Sequence, residues 1–407
     1  MRNWFATIVL TGRAVTAASG QPSVEKFDLF DAGHGGYALY RIPGMVVTQR
    51  GTVLAYCEAR RTGKSDWDSI DILLRRSTDV GQSWGPPGKL SDVPGSKAKN
   101  PAIKDYRPAN ANDVTYNNPV TIAGRNGAVH FLYCLEYMRG FYLRSQDDGV
   151  TWSGPREITR TFDKFRPDYD WKVIATGPGH GIELKNGRLL APVWLSTGTG
   201  GGNAHRPSVT ATIFSDDDGK TWQRGQVAVP NTAEWINPSE TAAVQLGDGS
   251  VMLNVRSESK TNRRLVTTSR DGATDWSMPR FDHALREPIC MASIVRLSQK
   301  PSGHKDRIVF ANPDNLSRAD GQEAPGRPRD RRNLTIKLSY DEGETWPVNK
   351  VLEPGVSGYC DLAVTNDGTV LCLYERGSTD GKSARLDRLT LACFNLEWLS
   401  DGKDALP

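Results

Sequence analysis

The octapeptide Ser77-Thr78-Asp79-Val80-Gly81-Gln82-Ser83-Trp84 recurs along this chain, as Ser145–Trp152, Ser215–Trp222 and Ser339–Trp346. An altered copy, Ser269–Trp276, lies between the last two. The shared pattern is S-x-D-x-G-x-[ST]-W, and successive copies start about 70, 70, 55 and 70 residues apart. A period of this size points to a radial or stacked repeat architecture. Each copy reads as a hairpin turn. The Asp is expected to bond backbone amides two residues on, the Gly to supply a positive φ, and the Trp to pack beneath the turn and clip neighbouring hairpins. In the altered copy Ala273 stands where the left-handed residue belongs, which predicts a weakened turn.

Strand-like runs precede the boxes, among them Ile70–Arg76, Gly140–Arg144, Val209–Phe214 and Leu334–Leu338. Roughly four strands fit each period, as in a propeller blade. With 407 residues, 40 glycines and few helical patterns, the chain reads as one all-β unit over 21–407. The formal charge is only +4, and no Lys/Arg run is interleaved with aromatics, so nucleic acid is excluded as an expected partner. The six cysteines sit in apolar runs without a CxxC pair and read as small buried hydrophobes. No segment has the length and apolarity of a membrane span. Residues 1–20 read either as a secretory leader, which would make the protein secreted or periplasmic, or as a disordered start; Gly12 and Arg13 cut the apolar run short.

A second set of landmarks lies between the boxes: Tyr40-Arg41-Ile42-Pro43, Glu240 followed by Asn254-Val255-Arg256-Ser257, Arg331-Arg332-Asn333-Leu334-Thr335, Gly358-Tyr359-Cys360-Asp361, and Leu373-Tyr374-Glu375-Arg376. As an ordered set they resemble the exo-α-sialidases (neuraminidases), over residues 28 to 399. The resemblance implies a six-bladed β-propeller whose ring is closed by strands from both termini.

It also implies the chemistry. A sialic acid carries a carboxylate on its anomeric carbon, and planar guanidinium forks suit that group. Arg41, Arg256 and Arg331 take this role by resemblance, with Arg332 as the alternative register for the third. A carboxylate nucleophile would be repelled by the sugar's own charge. Sialidases are the known exception among glycosidases that use a tyrosine instead. Tyr359 matches that nucleophile and Glu240 the base that takes its proton. Asp66, or Asp68 if the loop is counted differently, matches the general acid. Glu375 matches the carboxylate that supports Arg41, and Arg60 a position facing the sugar's O4 edge. His180 either borders the pocket or is merely solvated or hydrogen-bonded. Ser239 stands where the family often has Asn, and the inserts 92–117 and 312–330 are expected at the rim, where they could gate entry.

The expected activity is a retaining exo-α-sialidase with no cofactor and no metal, acting as a monomer on sialylated glycoproteins, gangliosides and oligosaccharides. The alternatives are a hydrolase of another 2-keto sugar acid, such as the deaminated sialic acid or Kdo, and a glycan-binding propeller without catalysis. Transfer to a sugar acceptor in place of water is a further outcome that the sequence leaves open.

Overall fold

A computed structural model describes residues 20–95, 97–103, 113–201, 203–302, 304–317, 322, 331–378 and 385–407. The leader 1–19 and much of the inserts expected at 92–117 and 312–330 lie outside the described residues. The described residues form an all-β, propeller-like fold of five hydrogen-bonded sheets. Four hold four or five strands, each mostly an antiparallel meander. In the first, Leu39–Val47, Val53–Arg60 and Ile70–Ser77 pair in sequence order. The fifth sheet has seven strands. Its strand Val348–Val364 pairs with Arg332–Ser339 through its first half and with Val370–Gly377 through its second. At its far edge Val24–Asp31 pairs with Leu386–Phe394, so strands from opposite ends of the described chain lie side by side.

The cores lie between sheets. Strands buried on both faces carry continuous apolar runs, such as Val53–Cys57 within Val53–Arg60 and Leu189–Leu195 within Leu189–Ser196. One core joins Leu54, Tyr56 and Ile72 to Phe131 and Leu143 of the next sheet. The next joins Leu132 to Leu189, Ile213 and Trp222. Another, with Met45, Ala55 and Cys57 on one side and Leu371, Leu373 and Leu391 on the other, links the first sheet to the last. Five cysteines are buried, Cys393 is partly so, and all six are free thiols.

The box turns differ in detail from their sequence reading. In the intact copies the Gly has the expected positive φ, but so does the residue before it, as in Asp218 (59°) and Gly219 (78°). The amide two residues beyond the Asp belongs to that Gly, and it donates to the box serine: Gly219 N to Ser215 Oγ is 2.9 Å. The Asp accepts the amide four residues on, Thr221 N at 2.8 Å. The altered copy forms a tighter turn. Gly272, not Ala273, is left-handed (φ 73°), and Asp271 accepts the Ala273 and Thr274 amides, each at 2.8 Å. Ala273 is therefore spared the conformation that the spacing assigned to it. Trp222 packs at a tilt against Tyr142 of the preceding sheet with ring centres 5.6 Å apart, and so clips the two sheets together.

Candidate active site

The innermost strand of a sheet repeatedly breaks register at the same end. Bulges fall between Arg41 and Gly44, between Asn117 and Val120, and between Ser357 and Cys360. Ile42 and Asn118 there have φ of 58° and 52°, and a β-branched residue at positive φ is an outlier found where the surrounding fold enforces it. Such bulges re-aim side chains at a sheet's end. Arg41, Glu240 and Tyr359 all lie at this end.

Glu240 and Arg256 flank a hairpin. They precede and follow Thr241–Gln245 and Val251–Val255, and the Arg256 amide donates to the Glu240 carbonyl at 3.0 Å. Their side chains therefore meet, with Arg256 Nη1 bonded to Glu240 Oε2. The same nitrogen donates to Tyr359 Oη at 2.7 Å. The Tyr359 hydroxyl donates to Glu240 Oε1 at 2.5 Å. Burial pushes the Tyr359 phenol well above its ordinary value, and Glu240 adds to the rise while Arg256 and Arg331 oppose it. The phenol is neutral, with an acceptor already in place.

Two further guanidiniums lie over the Tyr359 ring, Arg41 at 5.4 Å and Arg331 at 5.2 Å from its centre. Among the described residues it is Arg331, and not Arg332, that has this position. Arg331 Nη2 donates to the Ile289 carbonyl at 2.6 Å. Arg41 is gripped by Glu375 through two bonds of 2.9 and 3.1 Å. Glu375 also accepts the Ile42 and Tyr359 amides, each at 3.0 Å. Gly358 makes room for this: a Cβ there would lie 2.2 Å from Glu375 Oε2.

Arg60 Nη1 donates to Asp66 Oδ1 at 2.7 Å, and Glu58 holds the other side of the guanidinium at 2.7 Å. Burial raises the Asp66 carboxyl, but Arg60, Arg41 and His205 together hold it well below the usual range. Its side chain keeps 46% of its surface exposed. Asp68 is buried, accepts the Ser69 amide at 2.8 Å, and its carbonyl accepts the Thr115 hydroxyl. The structure thus brings Arg41, Arg60, Asp66, Arg256, Arg331, Glu240, Tyr359 and Glu375 into one connected constellation. His180 stands apart from it, bonded to Asp361.

A wall of aromatic residues escaped the sequence reading. Trp67, next to Asp66, packs at a tilt against Tyr137 and His205 with ring centres 4.4 and 4.9 Å apart, and Trp194 meets His205 edge-on at 5.2 Å. His205 and Trp194 help line a cavity of about 60 Å³ that ends on Glu240 and Arg256. Ala102, in the first insert, packs against the same cluster. The signals were thin: a Trp beside the candidate acid, and a lone His after a Gly-rich loop. Among the described residues no three His, Cys, Asp or Glu side chains converge as metal ligands.

The family described as "BNR repeat-like domain" matches residues 51–372. The sialidase of Micromonospora viridifaciens is 30% identical over 403 residues, covering 93% of this chain and 55% of that protein. The sialidase of Bacteroides fragilis is also 30% identical, covering 84% of this chain and 61% of that protein. The chain thus spans less than two thirds of either relative. Among solved structures, that of the Hadza microbial sialidase Hz136 superposes with a TM-score of 0.71 at 27% identity, covering 92% of this chain and 69% of that one.

Proposed function

The chain belongs to the BNR-repeat sialidases, and on that premise we propose that it is a retaining exo-α-sialidase that removes terminal α-linked sialic acid from glycoconjugates. In this reading the fold is a single six-bladed propeller domain. The long strand Val348–Val364 serves two blades, and the Val24–Asp31 strand closes the ring. The observation that carries the reading is the neutral Tyr359 hydroxyl donating to Glu240 at 2.5 Å amid three guanidiniums.

The sugar's carboxylate binds Arg41, Arg256 and Arg331. It neutralises Arg41, one of the cations holding the Asp66 carboxyl down, and so raises Asp66 toward protonation. Tyr359 Oη then attacks the anomeric carbon while its proton passes to Glu240. The glycosidic C–O bond breaks, and its oxygen takes the Asp66 proton. Water, deprotonated by Asp66, next attacks the sialyl-tyrosine. Tyr359 leaves and recovers its proton from Glu240, so the configuration is retained. Arg60 orients Asp66, and Glu375 keeps Arg41 and the Tyr359 backbone in place.

Release of a fluorogenic aglycone from N-acetyl and deaminated sialosides tests this. The N-acetyl sugar is expected to react faster. Tyr359→Phe and Asp66→Ala are each expected to lower kcat by about 100-fold or more with the circular dichroism spectrum unchanged. A dominant rate on the deaminated sugar contradicts the substrate. Full activity in either variant contradicts the corresponding role, and no turnover on any sialoside favours a glycan-binding propeller.

A further inference from the structure

Beyond the candidate site, the innermost strands run on to a carboxylate that the chemistry above does not use. Asp361 lies two residues after Tyr359 on the same strand and is 1% exposed. Its Oδ1 accepts His180 Nδ1 at 2.7 Å, the Ser293 hydroxyl at 2.8 Å and the Leu362 amide at 3.1 Å. Its Oδ2 accepts the Met45 amide at 2.8 Å. These donors belong to Gly179–His180, Ser293–Ser298, Leu39–Val47 and Asp361's own strand. One side chain therefore ties the Tyr359 strand to three others.

The hub and the site share an apolar layer. Ile42, Cys290 and Met291 pack with the Tyr359 ring. Met291 also reaches the hub, since a Cβ on Gly179 would lie 2.4 Å from Met291 Cε and 3.3 Å from Asp361 Oδ1. His180 in turn lines a separate central cavity of about 330 Å³. That cavity is walled by residues further along the same strands, among them Met45, Ala243, Ile294 and Leu362. Tyr359 and Glu240 lie at the near end of these strands and the cavity at the far end, so His180 faces away from the substrate.

We propose that Asp361 and His180 are a positioning pair that holds Tyr359 between Glu240 and the arginines, and that His180 exchanges its proton through the central cavity, away from the substrate. The proposal rests on the sialidase reading above. Tyr359 and Asp361 are two apart on one strand and both neighbour Met291, so a shift of one carries the other. Burial lowers the His180 imidazole, but Asp361 outweighs it and the net shift is upward. Uncharged polar groups around His180 are the Ser293 hydroxyl on Asp361, the Tyr56 hydroxyl bonded to the Gly179 carbonyl, and Thr121 beside it in the sheet. Among the described residues, Glu183, Lys185 and Arg296 are the other charged groups lining the cavity. Protonated His180 neutralises Asp361. As pH rises through the raised His180 value, the charge is lost and the hub loosens.

The test measures kcat and KM on an N-acetyl aryl sialoside from about pH 5 to 9, the range in which a histidine titrates. The proteins compared are the full-length wild type, His180→Asn and Asp361→Asn. Asparagine keeps a donor near the Nδ1 position and does not titrate. The wild-type kcat is expected to fall as His180 deprotonates, and His180→Asn to lack that step. Both variants are expected to lose about 10- to 100-fold in kcat, as small misplacements of reacting groups do, with KM changed by no more than about threefold. A His180→Asn protein with the wild-type step and rate, or a loss confined to KM, overturns the proposal. A second readout needs no turnover: the ¹³Cζ resonance of Tyr359 in tyrosine-labelled protein, identified by its absence in Tyr359→Phe. It is expected to follow the His180 step in the wild type and not in His180→Asn. If His180→Asn fails to fold, the labelled wild type and Ser293→Ala decide, with a step expected in both. A resonance that ignores the step overturns the pair. If no sialoside is hydrolysed while the resonance still follows the step, the sialidase reading falls and the positioning pair stands.

Discussion

Glu375 uses two oxygens to settle four donors: both arms of the Arg41 guanidinium and the Ile42 and Tyr359 amides. Burial raises its carboxyl, yet Arg41 and these donors lower it further, so it stays ionised. A buried carboxylate met by that many donors is costly to disturb, because removing it leaves the half-buried Arg41 cation without its partner. Arg60 plays the complementary part for Asp66. Replacing it by Gln removes the cation that most lowers the Asp66 carboxyl. The carboxyl then rises and keeps its proton to higher pH. If Asp66 is the general acid, the alkaline limb of kcat/KM moves upward in Arg60→Gln; an unmoved limb contradicts that role. The motif arginines and Tyr359 were legible because each sits in a short local pattern. The choice between Asp66 and Asp68 was not. Both lie on one loop, and only the direction in which the loop buries its side chains separates them.

At the scale of the element, the box turn shows how a pattern can be right while its atoms are assigned differently. The sequence spacing marked the turns, the glycines and the packing tryptophan. It could not show that the serine hydroxyl takes the near amide and the aspartate the far one, because both assignments fit one octapeptide. Two substitutions separate the intact and altered copies. Gly219→Ala forces a side chain into φ 78° and a Cβ to 2.1 Å from Tyr142 Oη. It is expected to cost about 1–3 kcal/mol. Ala273→Gly, which restores the consensus on paper, is expected to destabilise by about 1 kcal/mol, since Ala273 is not left-handed and glycine only adds unfolded-state entropy. Urea unfolding of both variants checks this, and stabilisation by Ala273→Gly would contradict the tighter turn.

For the whole molecule, the boxes are also expected to act as acid-labile clasps. Asp147 is lowered to about 2 by donors from Thr151 and Ser145. Burial raises Asp217 and Asp271, but similar donors bring each to about 2. An unfolded aspartate titrates near about 4. Folded-state values below the unfolded one give stability that is present above pH about 4 and lost as pH falls toward about 2. The melting temperature is expected to drop through that window; a flat curve there contradicts the clasp. The architecture was legible because the repeat is periodic. The central hub and the aromatic wall were not, because Asp361, His180 and Ser293 meet only through the stagger of inner strands, and Trp67, Tyr137 and His205 only through loops of unrelated length. In the proposed reaction the fold gathers guanidiniums around one neutral tyrosine that attacks the sugar. Mass spectrometry of the protein after exposure to a 2,3-difluoro sialic acid, whose fluorine at C3 slows breakdown of a covalent intermediate, addresses it most directly. A single sialyl adduct on the peptide containing Tyr359, absent in Tyr359→Phe, is expected; an adduct on another residue, or none while turnover of an ordinary sialoside proceeds, would contradict it.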